Sequence, residues 1–414
     1  MAFPPLRIAA ATLVTVAASL TMTSAHAATD STAIARWTTN ADFRTGTSAG
    51  LTIAGGTIAI SKPSGSFTFA DPYGDKKTRK VSFSSWISPW TNTGFDAKTI
   101  IASWNVVAPN GTWVRVQVRG KTATRTGSWD KIADWGYGTA GVHRASGTAQ
   151  SDDYSRVNVD TVVTNGTYRY RSWQIRVLLV RPYGVNATPR LSSIGAVAAT
   201  YSTRNPAVSR TTMTADTKLA VPRYSQMIHR GEYDQWGGGG ASWCSPTSVS
   251  MVLRYFGSGP EPADYSWSKY ADSFVDHAAR YTYDYRYDAA GNWPFNTAYA
   301  GRYGLDAFVT RLNNLRDAEA FIKNGIPVVA SIRYAKGALT GSAVASSNGH
   351  LLVIVGFLKD GRVVVNDPAA SSNSTVRRVY NRSQFEKAWL GGSGGVSYII
   401  APTTKKLPAD TARW

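Results

Sequence analysis

Near residue 203 the hydrophobic pattern changes its period, and this change divides the 414-residue chain into two differently built halves. Before it, KVSFSSWISP, TIIASWNVV, TWVRVQVRG, RVNVDTVVT, SWQIRVLLVRP and SIGAVAATYS alternate or cluster apolar, β-branched and aromatic residues, with turn signals at Pro109-Asn110-Gly111 and Asn165-Gly166. Such segments read as strands, and no ten-residue segment among them has a helical period. Residues 30–202 are therefore expected to form an all-β sandwich, jelly-roll-like, as an accessory domain. Residues 203–220, TRNPAVSRTTMTADTKLA, lack apolar periodicity and read as a linker. In residues 221–402 the patterns mix. SPTSVSMVLRYFG sets Val249, Val252, Leu253 and Phe256 on one helix face, and LRDAEAFIKNG predicts a second helix, acidic early, with Lys323 late and Gly325 as its stop. IPVVASIRY, HLLVIVGF, RVVVNDP and GVSYIIAP then read as strands, so this half is an α+β domain. Residues 403–414 form a tail.

The N-terminus carries one basic residue, Arg7, an apolar run from Ile8 to about Met22, and small residues ending in Ala25-His26-Ala27. That order predicts a signal peptide over 1–27 and an exported, secreted protein. No later stretch approaches the ~20 consecutive apolar residues that span a bilayer, so a transmembrane protein is not expected. The net charge of +19 favours contact with anionic surfaces such as a cell wall. The basic residues are not gathered on one element, and no nucleic-acid partner is expected. Trp86, Trp90, Trp104, Trp113, Trp129, Trp135 and Trp173 could stack on carbohydrate or fill a core.

Cys244 is the only cysteine, and an exported chain with one cysteine has no internal partner for it. It is an intermolecular bridge, an inert buried thiol or a reactive one. Its position favours the last: Ser245-Pro246 follow it, Pro suits the first helical position, and the free N–H groups of a helix N-terminus lower a thiol pKa and can hold an oxyanion. A nucleophilic thiol also needs an imidazole. His143 reads as a surface residue, His229 as part of an exposed loop, and His277 as helix packing or surface. His350 stands between the flexible SSNG and the core-like LLVIVGF, and Asp367, in VVVNDP, closes the next strand and could orient it. In a flat hairpin with a two-residue turn, Asp367 faces Ile354 instead. A turn-capping carboxylate before Pro368 is the other reading of Asp367.

VPRYSQ, WCSPTSVSMVLRYFG, GHLLVIVGF and VVVNDP together resemble the papain-like cysteine peptidases of the bacteriocin-processing family, in a stand-alone secreted form. The resemblance covers roughly residues 220 to 402. It implies a papain-like domain acting on a peptide or protein substrate, with Cys244 as nucleophile, His350 as base and later acid, Asp367 as orienter, and Gln226 as oxyanion donor. Two departures stand out. Ser245 replaces the usual glycine after the cysteine, and MIHRGEYDQWGGGGASW separates Gln226 from Cys244. The insertion either loops out and leaves Gln226 in place or lets Gln235 take that role; its glycine run suits a flexible lid or plain loop slack. A catalytically inactive binding protein, or an acyltransferase or amidase using the same triad, are the alternatives. No metal or organic cofactor is implied: HExxH and a phosphate-binding glycine loop are both absent. GGSGG at 391–395 lacks the strand-turn-helix context of a serine elbow and reads as a turn.

Overall fold

A computed structural model describes residues 31–409 except 110, 149 and 202–205. The signal-peptide segment and the end of the tail lie outside the described residues. The first half consists of two antiparallel sheets. One runs Ser155–Asn158, Thr161–Thr164, Thr99–Val107, Arg190–Thr200, Thr57–Ile60, Leu51–Ala54, with Ser31–Trp37 also paired to Arg190–Thr200. The other is centred on Trp113–Lys121, Tyr170–Pro182 and Thr78–Ile87. A five-residue helix, α1 (Asn40–Arg44), joins them. Inward-facing residues of both sheets meet in one core around Trp86, Trp104, Trp135, Trp173 and Ile175. Trp113 is buried in a neighbouring cluster. Trp90 reaches the surface and Trp129 is half-buried, with the Arg119 guanidinium 5.0 and 4.4 Å from their rings.

RVNVDTVVT, which reads as a single strand, is a hairpin. Ser155–Asn158 and Thr161–Thr164 pair with Asn158 opposite Thr161, and the chain reverses through Val159 at φ 56°. A β-branched residue rarely enters that left-handed region, and with valine there no glycine or asparagine at the left-handed position advertises the turn.

The second half is built on one antiparallel sheet in the order Leu305–Arg311, Val396–Pro402, Val328–Tyr334, Ser347–Phe357, Val363–Asn366, Arg377–Tyr380. Helices α2 (Cys244–Tyr255), α3 (Ser273–Thr282) and α4 (Trp293–Gly301) precede most of it; α5 (Leu315–Lys323) and α6 (Arg382–Ser393) are interleaved with its strands. The alternation of Ser347–Phe357 explains its unbroken apolar run. Leu352 and Ile354 enter a core with Phe321, Ile322 and Trp389 of α5 and α6, while Leu351, Val353 and Val355 face Val249, Val252 and Leu253 of α2.

The two halves are tightly packed. Thr99–Val107 is buried on both faces as far as Val106: Ile100, Ala102 and Trp104 point into the first core, Ile101 into the second. The Asn105 amide pairs with the backbone of Ala307, donating to its carbonyl at 2.8 Å and accepting from its N–H at 3.0 Å, and so completes an edge strand that would otherwise expose unpaired groups. Phe295 and Ala298 of α4 belong to the first core. Nor are residues 206–220 a loose tether. Thr217–Lys218 pairs with Gly356–Phe357, Ser209 donates its N–H and Oγ–H to Glu386, and Thr211 and Thr212 donate to Glu319. Both carboxylates are fully buried, and burial of a charge requires such donors. They hold the strap down.

Candidate active site

Cys244 is the first residue of α2. Pro246 falls at the third helical position, not the first, but still within the turn whose N–H groups have no intrahelical partner. The apolar face bears Val249, Val252 and Leu253 as its period predicts; Phe256 caps the helix instead and is half-buried. Ser245 is fully buried, and its hydroxyl meets the Tyr398 hydroxyl at 2.9 Å. It anchors the helix start to the sheet and does not line the cleft beside Cys244.

His350 and Asp367 come together because of a bulge. Phe357 opposes Val363 and Gly356 opposes Val364, but beyond a register shift at Val355, Ile354 opposes Val365 and Val353 opposes Asn366. Without that shift Asp367 would lie opposite Val353, on the other face of the sheet from His350. One inserted residue changes the parity. Continued through the bulge, the register sets Asp367 opposite Leu352, one diagonal step from His350 on the same face. His350 Nε2 then meets Asp367 Oδ1 at 2.7 Å. The carboxylate also accepts from the Tyr380 hydroxyl at 2.7 Å and the Ala369 N–H at 3.0 Å.

The electrostatics follow from this chain of contacts. Burial works against the Cys244 thiolate, but the hydrogen bond and charge of His350, with the N–H groups of Leu351 and Ser245, outweigh it and hold the thiol below its ordinary value. Burial likewise disfavours a charged His350, yet Asp367 and then Cys244 raise it to about 10. Asp367 is held below the usual carboxylate range: burial pushes it up, and His350, Tyr380 and the Ala369 N–H pull it further down. With Nε2 bonded to Asp367, Nδ1 is the nitrogen left for the sulfur. The group as a whole stabilises a thiolate–imidazolium pair.

Gln226 is buried at the start of a 3-10 turn, Gln226–His229, and lines the same cleft as Cys244 and His350. Its backbone N–H donates to Pro368 at 2.8 Å, which ties it to the Asp367 loop. Its amide donates one N–H to Ala241 at 2.8 Å, leaving a second donor on the same nitrogen. The intervening residues do loop out, and Gln235 is exposed and off the cleft. The glycine run is not plain slack: Gly237 lines the cleft and the run is built into the fold. Gly237, Gly238 and Gly239 all have φ between 71° and 85°, and a Cβ on Gly240 would lie 2.4 Å from the Gln226 carbonyl oxygen.

The cleft has a volume of about 800 Å³, and one part of its wall comes from the first half: the hairpin turn Asn158-Val159-Asp160-Thr161. Asp160 accepts from the Trp293 N–H at 3.0 Å and from Thr161 Oγ1 at 2.9 Å, and burial pushes its carboxyl up to about 6. Neither Asp160 nor Tyr380 was singled out from the sequence. The consecutive apolar residues Ile100, Ile101 and Ala102 in TIIASWNVV, unusual in a sandwich strand, were the available signal that a second body covers that sheet.

Of the other histidines, His143 and His229 depart from their surface readings, while His277 follows its helix-packing one. His277 is buried between the hydroxyls of Tyr299 and Tyr137, at 2.8 and 3.1 Å, and burial depresses it to about 3. His143 is half-buried, 2.8 Å from Asp71. His229 is fully buried beside Glu232 and Asp276. GGSGG forms the end of α6 and the turn after it, with Gly394 and Gly395 left-handed. Among the described residues no helix is long and apolar enough to cross a membrane.

Comparison with known families gives two matches. Residues 33–199 match the family described as the peptidase C39 N-terminal domain, and residues 218–395 match the peptidase C39-like family. No curated protein matches the chain.

Proposed function

Since the chain belongs to the peptidase C39-like family, of the papain-like cysteine type, with a separate N-terminal domain of that family, we propose that it hydrolyses peptide bonds through Cys244, His350 and Asp367. The observation that carries this reading is the unbroken series Cys244, His350, Asp367, Tyr380 at the edge of an 800 Å³ cleft. In the resting pair the thiolate is already formed. It attacks a peptide carbonyl carbon, and the oxyanion is received by the Cys244 N–H, which lies outside the helical ladder, and by the free N–H of the Gln226 amide. His350 gives its proton to the leaving amine, then takes one from the water that hydrolyses the thioester, which regenerates the thiolate–imidazolium pair. Asp367 keeps Nε2 protonated throughout, so that Nδ1 always faces the sulfur.

Both departures from the family pattern are compatible with activity. Ser245 turns its hydroxyl to Tyr398 and away from substrate, and Gln226 keeps its place despite the insertion. The first domain acts as a wall of the substrate cleft, beyond any tethering to an anionic or carbohydrate surface. Export through residues 1–27 is part of the same proposal and fits a peptidase whose single cysteine is unpaired. The test is incubation of the protein and its Cys244→Ala variant with a diverse peptide pool, read by mass spectrometry. New backbone termini with the parent protein alone are expected. Deamidated or cross-linked products would assign the site to amide hydrolysis or acyl transfer, and identical pools would assign the scaffold to binding.

A further inference from the structure

His229, Glu232 and Asp276 bring one imidazole nitrogen and two carboxylates together beneath the insertion that precedes Cys244. His229 Nδ1 lies 2.8 Å from Glu232 Oε2 and 3.0 Å from Asp276 Oδ1, and one ligand atom of each residue lies within 4.8 Å of the others. His229 and Asp276 are fully enclosed, and Glu232 is 9% exposed.

The one hydrogen on His229 Nδ1 does not serve both carboxylates. The single Nδ1 hydrogen reaches Glu232, and Asp276 Oδ1, which faces the same nitrogen, is buried without a hydrogen-bond partner. Two carboxylates around one imidazolium also leave net negative charge in an enclosed space, which a second proton or a bound cation would neutralise. Ser268 donates its hydroxyl to the other Asp276 oxygen at 2.5 Å, as outer donors do for a ligating carboxylate.

We propose that His229 Nδ1, Glu232 and Asp276 bind a divalent transition-metal cation of the zinc class. Imidazole combined with carboxylates suits zinc, whereas calcium and magnesium prefer all-oxygen sets. Donors ~2.0–2.2 Å from a tetrahedral centre stand ~3.3–3.6 Å apart, so the N···O separations of 2.8 and 3.0 Å widen by about half an ångström when the ion enters. The exposed edge of Glu232 is the entry path. The ion's role is structural. It clamps the insertion, through His229 and Glu232, to α3, through Asp276, and because Gly240 packs against both Gln226 and His229, it fixes the turn that carries Gln226 to the cleft.

The proposal does not depend on peptidase activity, and its test avoids it. The Cys244→Ala variant, which removes the competing thiol, is stripped with chelator, reloaded with zinc, desalted and assayed for metal by mass spectrometry and for thermal unfolding. About one zinc per chain is expected, with the melting temperature raised by roughly 3–5 °C at free zinc a hundred times Kd. Adding Asp276→Asn or Glu232→Gln should lower retained zinc below about a tenth of an equivalent and abolish the thermal shift. Should one substitution prevent folding, the other carries the comparison. Failure of the Cys244→Ala protein to retain zinc, or retention unchanged in a folded cluster variant, overturns the assignment.

Discussion

Replacing His350 with alanine removes the main influence that holds the Cys244 thiol below its ordinary value; burial then acts against only the Leu351 and Ser245 N–H groups, and the thiol midpoint moves up. Iodoacetamide alkylation followed against pH reads this directly. An unperturbed thiol, with pKa about 8.5, is ionised to roughly 0.3% at pH 6 and roughly 3% at pH 7, so its rate climbs about tenfold per unit. Cys244 in the parent protein, paired with an imidazolium that persists to about pH 10, should show a shallow profile across neutral pH. Its advantage at pH 6 has a ceiling of ~300-fold, the ratio for complete ionisation, and falls below that ceiling because a less basic thiolate is a weaker nucleophile, with a Brønsted slope of ~0.4–0.5. His350→Ala should restore the steep profile and lose that advantage. A parent rate that itself climbs tenfold per unit between pH 6 and 8, or equal rates in both proteins at pH 6, would refute the ion pair.

Other expectations follow from the same contacts. Peptidase activity should plateau between an acid limb set by thiol ionisation, below the ordinary thiol range, and an alkaline limb near pH 10, where His350 loses the proton it donates to the leaving amine; a maximum confined above pH 9 would contradict this. Gln226→Ala should reduce kcat by about 10²–10³ with KM little changed, while Gln235→Ala leaves both as they were; the opposite result would transfer the oxyanion role. Tyr380→Phe removes one hydrogen bond to a buried carboxylate, worth about 1.5–3 kcal/mol, and should lower kcat and the thermal midpoint together, with Asp367→Asn more damaging to kcat. Expressed alone, residues 218–409 should aggregate or melt far earlier than the full chain, because Phe295, whose burial is worth ~1.5–3 kcal/mol, and the Ala307 backbone lose their partners in the first domain. A monomeric fragment with the parent's melting temperature, by size exclusion and circular dichroism, would oppose that.

The fold class was legible because hydrophobic period is a local property. Alternation in KVSFSSWISP and the i, i+3, i+4 spacing of Val249, Val252 and Leu253 each select one backbone geometry whatever the rest of the chain does. Cys244 was conspicuous for the same reason, since a helix start announces itself within a few residues. The meeting of His350 with Asp367 was not local. It depends on a single bulge at Val355, and inserting one residue into a strand reverses the face of everything after it without leaving a pattern that periodicity can detect. The reversal at Val159 is hidden likewise, because no turn-forming residue occupies the left-handed position.

Sequence by itself therefore determined the elements and the nucleophile's place on one of them. The tertiary structure alone decided which residues share the cleft: it moved Asp160 from the first domain to the wall beside Cys244, turned the strap at 206–220 into buried hydrogen bonds, and gathered His229, Glu232 and Asp276 into one enclosed cluster. These are contacts between segments far apart along the chain. What selects them is the burial of shared surface and the pairing of every charge taken out of water, and neither can be read from a residue's neighbours in sequence.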